Sequence, residues 1–286
     1  MIERFTLDDL RDRKRRGIPL VMATAYDYIT ASAIDDAGID LALVGDSAAT
    51  TILGLPVTRE VSLDEMLMLT RAVRRGLKRA LLLGDLPFGT YETSDEQALT
   101  TARRFAAVGC DAVKMEGGGA IASRVRALGA EGIRVVGHLG LTPQRLKAGE
   151  TARVEAKSSD AALRLLDDAK ALEAAGCVAI IFEAIPAAVS DQLVPQIGVP
   201  VIGIGAGAAL DGQVLVTADL LGLTRGHIPK FVKRYAELGT AMVDALTRFA
   251  SDVRDRRFPD AEHTYAMDAA ERATLAARLR SDETNG

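Results

Sequence analysis

Titratable side chains stand at the ends of several short apolar runs in this sequence. In the clearest case, an apolar run at residues 80–83 is followed by Gly84 and Asp85. The same arrangement recurs at four further positions, Asp46, Glu116, His138 and Glu183. An ionised side chain is costly to bury unless it is paired or bound to a metal, so packing alone does not explain the pattern. At the carboxyl ends of parallel strands, such residues indicate the chemistry of an enzyme.

Three of these acids predict a site for a divalent cation. Asp46, Asp85 and Glu116 follow three successive predicted strands, so their carboxylates should converge at one side of the carboxyl edge of the sheet. Carboxylate oxygens, together with water and substrate oxygens, are the ligands that Mg²⁺ prefers. Each acid alone could instead cap the helix that follows its strand. Three acids at equivalent positions favour the metal.

Lys114 and His138 are the cationic candidates. Lys114 lies two residues before Glu116 in one predicted strand, so the two side chains share a face. A buried lysine needs a carboxylate or an anionic substrate, and a purely structural ion pair with Glu116 is the alternative. His138 is predicted to contact substrate because it ends a strand beside Gly137. A core histidine that is satisfied by backbone groups is the alternative there.

Glu183 is the candidate general base. It follows the apolar stretch 178–182, where desolvation would make its carboxylate a stronger base. Its strand is predicted to lie across the fold from the metal-binding acids, which leaves room for substrate between them. A helix cap or a core ion pair is the alternative.

A glycine-rich segment follows a later strand and reads Gly203-Ile204-Gly205-Ala206-Gly207. Backbone N–H groups in such a segment can bind phosphate or another anion. The glycines could equally form a tight turn that lets another segment approach closely. The pattern alone does not choose between these two interpretations.

Alternating strands and helices must position these residues. The predicted strands are residues 19–25 and 39–45, three strands that end at Asp85, Glu116 and His138, a sixth that ends at Glu183, a seventh at 199–204 and an eighth near 220–223. The predicted helices are residues 5–16, 28–37, 62–75, 94–108, 120–129, 159–175, 231–248 and 266–279. This alternation predicts an all-parallel α/β fold, a (βα)₈ barrel. A doubly wound sheet would need a glycine fingerprint after the first strand, and residues 24–27 lack one.

The length, charge and composition of the chain set further limits. A chain of 286 residues suits one barrel, and we predict a single domain over residues 1–286, with a short N-terminal helix and a C-terminal helical extension. A net charge of −4 argues against nucleic-acid binding, which needs a positive face. We find no signal peptide and no apolar run of the ~20 residues that a membrane span requires. A cytoplasmic protein without a membrane partner is expected, and His227 and His263 are expected to have only structural or surface roles.

The motifs together resemble the ketopantoate hydroxymethyltransferase (3-methyl-2-oxobutanoate hydroxymethyltransferase) family from about residue 11 to residue 265. The matching stretches are residues 24–27, 44–47, 71–76, 85–88, 113–118, 137–144, 202–207 and 226–231. The resemblance implies a TIM barrel of the phosphoenolpyruvate/pyruvate-binding type, with Mg²⁺ as cofactor. It also implies a cytoplasmic homo-oligomer, a decamer, that acts on small molecules.

The resemblance also implies a reaction and residue roles. The reaction transfers a hydroxymethyl group from 5,10-methylenetetrahydrofolate to 3-methyl-2-oxobutanoate, giving 2-dehydropantoate (ketopantoate) for pantothenate and coenzyme A biosynthesis. The acids at the metal would be Asp46, Asp85 and Glu116. The residues that hold the 2-oxoacid would be Asp46, Ser47, Asp85 and Lys114, and Glu183 would be the proton acceptor.

Two loops depart from the family pattern, at residues 54–58 and 149–156, whereas the strand-end acids are retained. Leu69 and Ala218 stand where the family usually has histidines. We predict that the two loops form a wall or lid of the substrate site. Two other functions stay open: a lyase or mutase of the phosphoenolpyruvate/isocitrate-lyase type, whose cysteine motif is missing here, and a catalytically silent binding paralogue. The costly cluster of retained charges argues against a silent protein.

Overall fold

The strands of the protein close into a parallel barrel in simple sequence order. The computed structural model describes residues 4–226 and 228–283, so His227 lies outside the described residues. The strands are β1 (Leu20–Thr24), β2 (Leu41–Val44), β3 (Leu81–Asp85), β4 (Ala112–Glu116), β5 (Val135–Gly140), β6 (Ala179–Glu183), β7 (Val201–Ile204) and β8 (Gly212–Leu215). Each strand pairs in parallel with its neighbours, and β8 pairs with β1. The predicted (βα)₈ fold is confirmed.

Helices follow the strands along most of the chain. They are α1 (Leu7–Arg16), α2 (Tyr28–Asp36), α3 (Ala48–Thr51), α4 (Leu63–Gly76), α5 (Asp95–Ala107), α6 (Ala122–Ala130), α7 (Ser159–Ala175), α8 (Ala187–Leu193), α9 (Thr217–Leu220), α10 (Leu238–Arg254) and α11 (Ala269–Glu283). Short 3₁₀ helices occur at Thr58–Glu60, Gly119–Ile121, Pro143–Arg145, Val194–Gln196 and Ala261–His263. Within the described residues, no helix combines the length and apolarity needed to span a bilayer.

Side-chain caps decide where two of the helices begin. Ser62 accepts a hydrogen bond from the backbone N–H of Glu65, and its own N–H donates to Glu65 Oε2 at 2.8 Å. This is the capping box that the sequence predicts for α4. Thr6 and Asp9 form the same box at α1, so that helix begins at Leu7 and not at residue 5.

Most strand ends agree with the sequence-based prediction. β3 ends at Asp85, β4 at Glu116 and β6 at Glu183, each as expected. β5 continues two residues beyond His138, to Gly140. α7 has the predicted bounds.

The predicted position of the eighth strand was wrong. It was expected near residues 220–223, but β8 is Gly212–Leu215, and Leu220 belongs to α9. The true strand has only four residues, and the Gln213 side chain is exposed on its outer face. Its apolar signal is therefore too short to be recognised, whereas the apolar Leu220 and Leu221 lie at the end of a short helix.

The predicted helix at 231–248 also starts later than expected, because α10 begins at Leu238. The segment before it is held by distant contacts. The Phe231 ring occupies the space beside Gly205 where a Cβ would lie, and Tyr235 donates its backbone N–H to the Leu220 carbonyl at 2.8 Å. Tertiary contacts here outweigh local helix propensity.

The chain divides into two compact units, Met1–Ala236 and Glu237–Gly286. The first contains the barrel, and the second contains α10 and α11. The single domain over residues 1–286 stays a prediction.

Alternation along the strands places the titratable side chains inside the barrel. The interior positions include Leu81, Leu83 and Asp85 in β3, Ala112, Lys114 and Glu116 in β4, Val136 and His138 in β5, and Ala179, Ile181 and Glu183 in β6. The intervening residues, such as Leu82 and Val113, pack in the larger core cluster that includes the helices. Side chains in a strand alternate between its two faces. The interior of the barrel is therefore filled by apolar side chains towards the amino ends of the strands and by charged side chains at their carboxyl ends.

Candidate active site

Lys114 lies at the centre of the charged cluster. Its Nζ is 2.6 Å from Asp85 Oδ2 and 3.6 Å from Glu116 Oε1, and its side chain is only 5% exposed. Asp85 Oδ2 also accepts the backbone N–H of Asp46 at 3.1 Å, which links the ends of β2 and β3. Burial works to lower the pKa of Lys114, but the charges of Asp85, Glu116 and Asp46 outweigh it and raise that pKa. The ammonium therefore stays charged at neutral pH.

His138 lies between two carboxylates. Its Nδ1 is 3.1 Å from Glu116 Oε1, and its Nε2 is 3.1 Å from Glu183 Oε2. The second contact is an ion-pair distance without hydrogen-bond geometry, so Nε2 keeps no hydrogen-bond partner. Burial and Lys114 work to lower the pKa of His138, but the two carboxylates raise it to about 9. His138 thus lies between Glu116 and Glu183, whose charges favour its protonated form.

Glu183 lies at the end of β6, and β6 is opposite β2 in the eight-stranded barrel. Its side chain is 16% exposed, more than those of Lys114 and Glu116. The carboxylate therefore faces the barrel mouth from the side opposite Asp46, as expected from the sequence.

Tyr91, in the loop after β3, and Gln144, in the loop after β5, form hydrogen bonds around Glu116. The Tyr91 hydroxyl donates to Gln144 Oε1 at 2.7 Å and accepts the backbone N–H of Glu116 at 3.1 Å. The backbone N–H of Gln144 donates to Glu116 Oε2 at 3.1 Å, and its Nε2 donates to the Leu86 carbonyl. Both side chains are almost fully buried. Burial works to raise the pKa of Glu116, but Lys114 and His138 outweigh it and lower that pKa.

Unpartnered polar atoms are concentrated in this cluster. Six buried side-chain N or O atoms of the described residues lack a hydrogen-bond partner, and four of them belong to residues that line one cavity: Asp46 Oδ2, Thr58 Oγ1, Asp85 Oδ1 and His138 Nε2. The cavity has a volume of about 100 Å³. Buried polar atoms normally have partners, so such a concentration marks a place where a ligand completes the structure.

Two of these atoms fit a cation. Asp46 Oδ2 and Asp85 Oδ1 are carboxylate oxygens without any donor, which is the chemistry that a hard divalent cation takes. Burial and the charge of Asp85 raise the pKa of Asp46 to about 7, and a bound cation would reverse that effect. Both oxygens of Glu116 are already engaged, by His138 and by the backbone of Gln144. Within the described residues, no group of three or more Asp, Glu, His or Cys side chains is arranged to hold a metal.

Ser47 directly follows Asp46 and lines the same cavity. Its Oγ is 2.7 Å from the hydroxyl of Tyr26, a buried residue in the loop after β1. Burial raises the pKa of Tyr26 to about 12, so the phenol stays neutral. Ser47 is thus held next to the cluster, as its predicted contact with substrate requires.

The structure therefore brings all seven residues of the predicted site together: Asp46, Ser47, Asp85, Lys114, Glu116, His138 and Glu183. Their roles as metal ligands, substrate contacts or base stay predictions. Sequence reasoning missed three supporting residues, Tyr26, Tyr91 and Gln144. Tyr26 and Gln144 lie within family-like stretches, which could have drawn attention to them, whereas Tyr91 had no comparable signal.

The glycine-rich segment after β7 forms a tight turn. Gly205 and Gly207 have left-handed φ angles of 64° and 92°. A Cβ at Gly205 would lie 2.5 Å from the Phe231 ring, and one at Gly207 would lie 2.6 Å from Ala187 Cβ. The glycines thus permit close approach of other segments, the second of the two interpretations.

The two divergent loops lie in different places. Thr58, from the first loop, lines the barrel-mouth cavity. Glu155 and Ala156, from the second loop, line a neighbouring cavity of about 230 Å³, together with Gly117 and Arg145. The role of either loop as a wall or lid stays a prediction.

Comparison with known proteins gives matches over nearly the whole chain. The family model described as Ketopantoate hydroxymethyltransferase matches residues 4–261. A 3-methyl-2-oxobutanoate hydroxymethyltransferase from Acidothermus cellulolyticus is 50% identical over 263 residues, which are 92% of this chain and 97% of the relative. A protein of the same name from Oleidesulfovibrio alaskensis is 51% identical over 264 residues, or 92% and 91% of the two chains.

Solved structures share the fold at low sequence identity. Phosphonopyruvate hydrolase, in complex with oxalate and Mg²⁺, has a TM-score of 0.59 at 15% identity and covers 98% of each chain. A 2,3-dimethylmalate lyase, a member of the PEP mutase/isocitrate lyase superfamily, has a TM-score of 0.58 at 15% identity and covers 98% and 99%. These similarities support the barrel type that was expected from the sequence.

Proposed function

The chain belongs to the ketopantoate hydroxymethyltransferase family, and on that premise we propose that it transfers a hydroxymethyl group from 5,10-methylenetetrahydrofolate to 3-methyl-2-oxobutanoate. The product is 2-dehydropantoate, for pantothenate and coenzyme A biosynthesis. One observation carries the proposal: the unpartnered oxygens of Asp46 and Asp85 lie across the barrel mouth from the carboxylate of Glu183. This arrangement suits a reaction in which a 2-oxoacid is held on one side and loses a proton on the other.

Asp46 and Asp85 hold Mg²⁺ in this proposal, with Glu116 nearby and the 2-oxoacid beside them. When bound, Mg²⁺ supplies Lewis-acid stabilisation to the oxygen atoms of the 2-oxoacid. The Lys114 ammonium, kept charged by Asp85 and Glu116, offsets the negative charge that develops on the substrate. Lys114 also limits the repulsion between the carboxylates of the cluster and an anionic substrate.

Glu183 is the general base of the proposed reaction. Its carboxylate accepts the proton from C3 of the 2-oxoacid, and C3 then bonds to the methylene carbon of the donor. Both bonds from that carbon to the folate nitrogens break, water supplies the hydroxyl group, and tetrahydrofolate leaves. His138 lies 3.1 Å from Glu183 Oε2 and holds the carboxylate at the barrel mouth. A positioned base contributes about 10²–10⁴ to the rate of such a proton transfer.

Proton exchange at C3 tests this function directly. The protein is incubated in D₂O with Mg²⁺ and 3-methyl-2-oxobutanoate, and loss of the C3 proton signal is followed by NMR, with and without the folate donor. We expect Mg²⁺-dependent exchange without the donor and formation of 2-dehydropantoate with it. Absence of both in the intact protein would refute the proposal. Exchange without transfer would retain the enolising chemistry and refute the donor.

The lyase or mutase alternative has weaker support. It rests on proteins that share the fold at about 15% identity, whereas relatives at about 50% identity are named as hydroxymethyltransferases. Similarity at about 15% sequence identity shows a shared fold and not a shared reaction.

We also propose that the protein acts in the cytoplasm as a homo-oligomer, a decamer by family resemblance, without nucleic-acid or membrane partners. An exposed apolar stripe on α10 supports self-association. It comprises Met242, Leu246, Phe249 and Val253, spaced three or four residues apart.

A further inference from the structure

Thr58 has an unusual environment for a threonine in a loop. It begins the 3₁₀ helix Thr58–Glu60 and lines the same cavity as Asp46, Lys114 and Glu183. Its Oγ1 is buried and has no hydrogen-bond partner. A hydroxyl group that is buried without a partner carries a desolvation penalty, so its presence at this position calls for an explanation.

The backbone around Thr58 is anchored on both sides. The Arg59 guanidinium lies 3.9 Å from the centroid of the Phe88 ring, in cation–π contact with the loop after β3. The backbone N–H of Val61 donates to the Thr58 carbonyl, and the Val61 side chain is buried. The 3₁₀ helix also packs against Pro143–Arg145 in the loop after β5. These contacts hold the hydroxyl at the cavity.

Most donors that line the cavity already face a partner within the protein. Four carboxylates line it, from Asp46, Asp85, Glu116 and Glu183, and an anionic ligand would be repelled by them. The Lys114 ammonium is already engaged by Asp85 and Glu116. The Ser47 hydroxyl shares a hydrogen bond with the Tyr26 hydroxyl, in which either group can donate, and His138 Nε2 faces Glu183 Oε2 at 3.1 Å. The Thr58 hydroxyl is buried at the cavity, uncharged and unengaged, so it can donate to an incoming anion at no cost to the cluster.

We propose that the Thr58 hydroxyl donates a hydrogen bond to a carboxylate oxygen of the bound 2-oxoacid, which makes Thr58 a substrate-contact residue. The assignment rests on the proposed function, because it assumes a 2-oxoacid in the barrel mouth. A hydrogen bond to a charged acceptor is stronger than one to a neutral acceptor, so the contact contributes to affinity.

Three variants test the contact. Thr58→Val replaces the hydroxyl by a methyl group of similar size, Thr58→Ser keeps the hydroxyl, and Thr70→Val makes the same change at a buried hydroxyl in α4 that bonds to the Met66 carbonyl. The dissociation constant for 3-methyl-2-oxobutanoate is measured by calorimetry in Mg²⁺. We expect it to rise roughly 10- to 100-fold in Thr58→Val and to stay near the wild-type value in the other two.

The stability of the ligand-free protein gives a second readout with the opposite sign. Removing an unpaired buried hydroxyl removes a desolvation penalty, so the melting temperature of Thr58→Val should equal or exceed that of the wild type. The rise in melting temperature on adding the 2-oxoacid should be smaller in Thr58→Val. A structural hydroxyl would produce the reverse: a lower melting temperature with unchanged affinity. Thr58→Ala provides the same test if the valine variant does not fold.

The outcomes separate this inference from the proposed function. Wild-type affinity in Thr58→Val would overturn the contact while leaving the function standing, because the wild-type protein would still bind and exchange the 2-oxoacid. Failure of the wild-type protein itself to bind the 2-oxoacid would overturn the proposed function and the contact with it. Weak binding in both Thr58→Val and Thr58→Ser would also overturn the contact, since the serine retains the donor.

Discussion

The ionised residues in the barrel mouth carry more negative than positive charge, and a divalent cation would neutralise the excess. Asp46, Asp85, Glu116 and Glu183 provide four carboxylates, whereas Lys114 and His138 provide two positive charges. The pKa of Lys114 is raised and that of His138 is raised to about 9, so both are charged at neutral pH. The burial that raises the pKa of Asp46 to about 7 shows that the remaining negative charge is costly. A cation of charge two would balance it.

Glu183→Gln tests the base at the scale of one residue. Glutamine keeps the size and an acceptor oxygen but cannot take the C3 proton. We expect C3 exchange, followed by NMR, to fall by ~10²–10⁴ while 2-oxoacid binding is retained. Exchange at the wild-type rate would show that Glu183 is a structural acid and not the base.

Asp85→Asn tests the metal assignment. The amide keeps one acceptor oxygen but removes a charge next to Lys114, so Mg²⁺ should no longer raise the melting temperature while the fold persists. The measurement is thermal unfolding with Mg²⁺ and with a chelator, and Asp111→Asn at the opposite end of the barrel serves as control. Asp111 is far from the cavity and accepts the Leu82 N–H, so its variant should keep the Mg²⁺ effect. An unchanged Mg²⁺ effect in Asp85→Asn would rule out that residue as a ligand.

At the scale of elements, aspartates have different tasks at the two ends of the strands. At the amino ends, three of them accept backbone N–H groups of neighbouring strands: Asp40 from Val21, Asp111 from Leu82 and Asp211 from Val201. Each also has a basic partner, among them Arg13, Arg4 and Lys14. These acids join strands and helices, whereas the acids at the carboxyl ends point into the cavity.

The pH dependence of folding stability can test one such contact, that of Asp35. Its Oδ1 accepts the backbone N–H groups of Arg79 and Ala80, both at 2.8 Å, and so connects α2 to the start of β3. Burial works to raise the pKa of Asp35, but these hydrogen bonds outweigh it and hold the pKa below the ordinary value of 3.8. The ionised form is therefore favoured by folding. Its contribution is complete above pH ~4 and is lost as the pH falls through the lowered pKa.

Asp35→Asn should accordingly cost about 1 kcal/mol of unfolding free energy at pH 7, because a neutral acceptor replaces a charged one. The difference between variant and wild type should shrink as the pH is lowered below ~4. Urea unfolding at both pH values measures it. A difference that does not depend on pH would show that the charge of Asp35 contributes nothing.

At the scale of the whole molecule, the proposed homo-oligomer predicts a solution mass of ten times the 30.3 kDa chain. Leu246→Arg places a charge in the exposed apolar stripe of α10 and should lower that mass, because apolar burial drives association. Asp244→Arg puts the same side chain on the other side of the helix and should leave the mass unchanged. Light scattering after size-exclusion chromatography distinguishes them. A wild-type monomer would contradict the oligomer, and equal masses for the two variants would exclude the stripe from it.

Much of the fold could be predicted from local patterns. Apolar runs with a charged last residue predicted the ends of β3, β4 and β6 to the residue, and the capping box at Ser62 predicted the start of α4. The predicted bounds of α7 are also those of the structure. β8 and the start of α10 could not be predicted, since a four-residue strand has too weak a pattern and Phe231 is held by a contact with Gly205.

The sequence by itself determined which side chains enter the barrel mouth, because alternation along a strand is a local property: Lys114 and Glu116 must share a face wherever β4 lies. Only the tertiary structure decided which of their atoms are satisfied. Tyr91 bonds to Gln144 across 53 positions of the chain, whereas Asp46 Oδ2, Asp85 Oδ1 and Thr58 Oγ1, from three residues that line one cavity, have no partner. Hydrogen-bond satisfaction depends on the packing of segments that are distant in sequence, so no local pattern contains it.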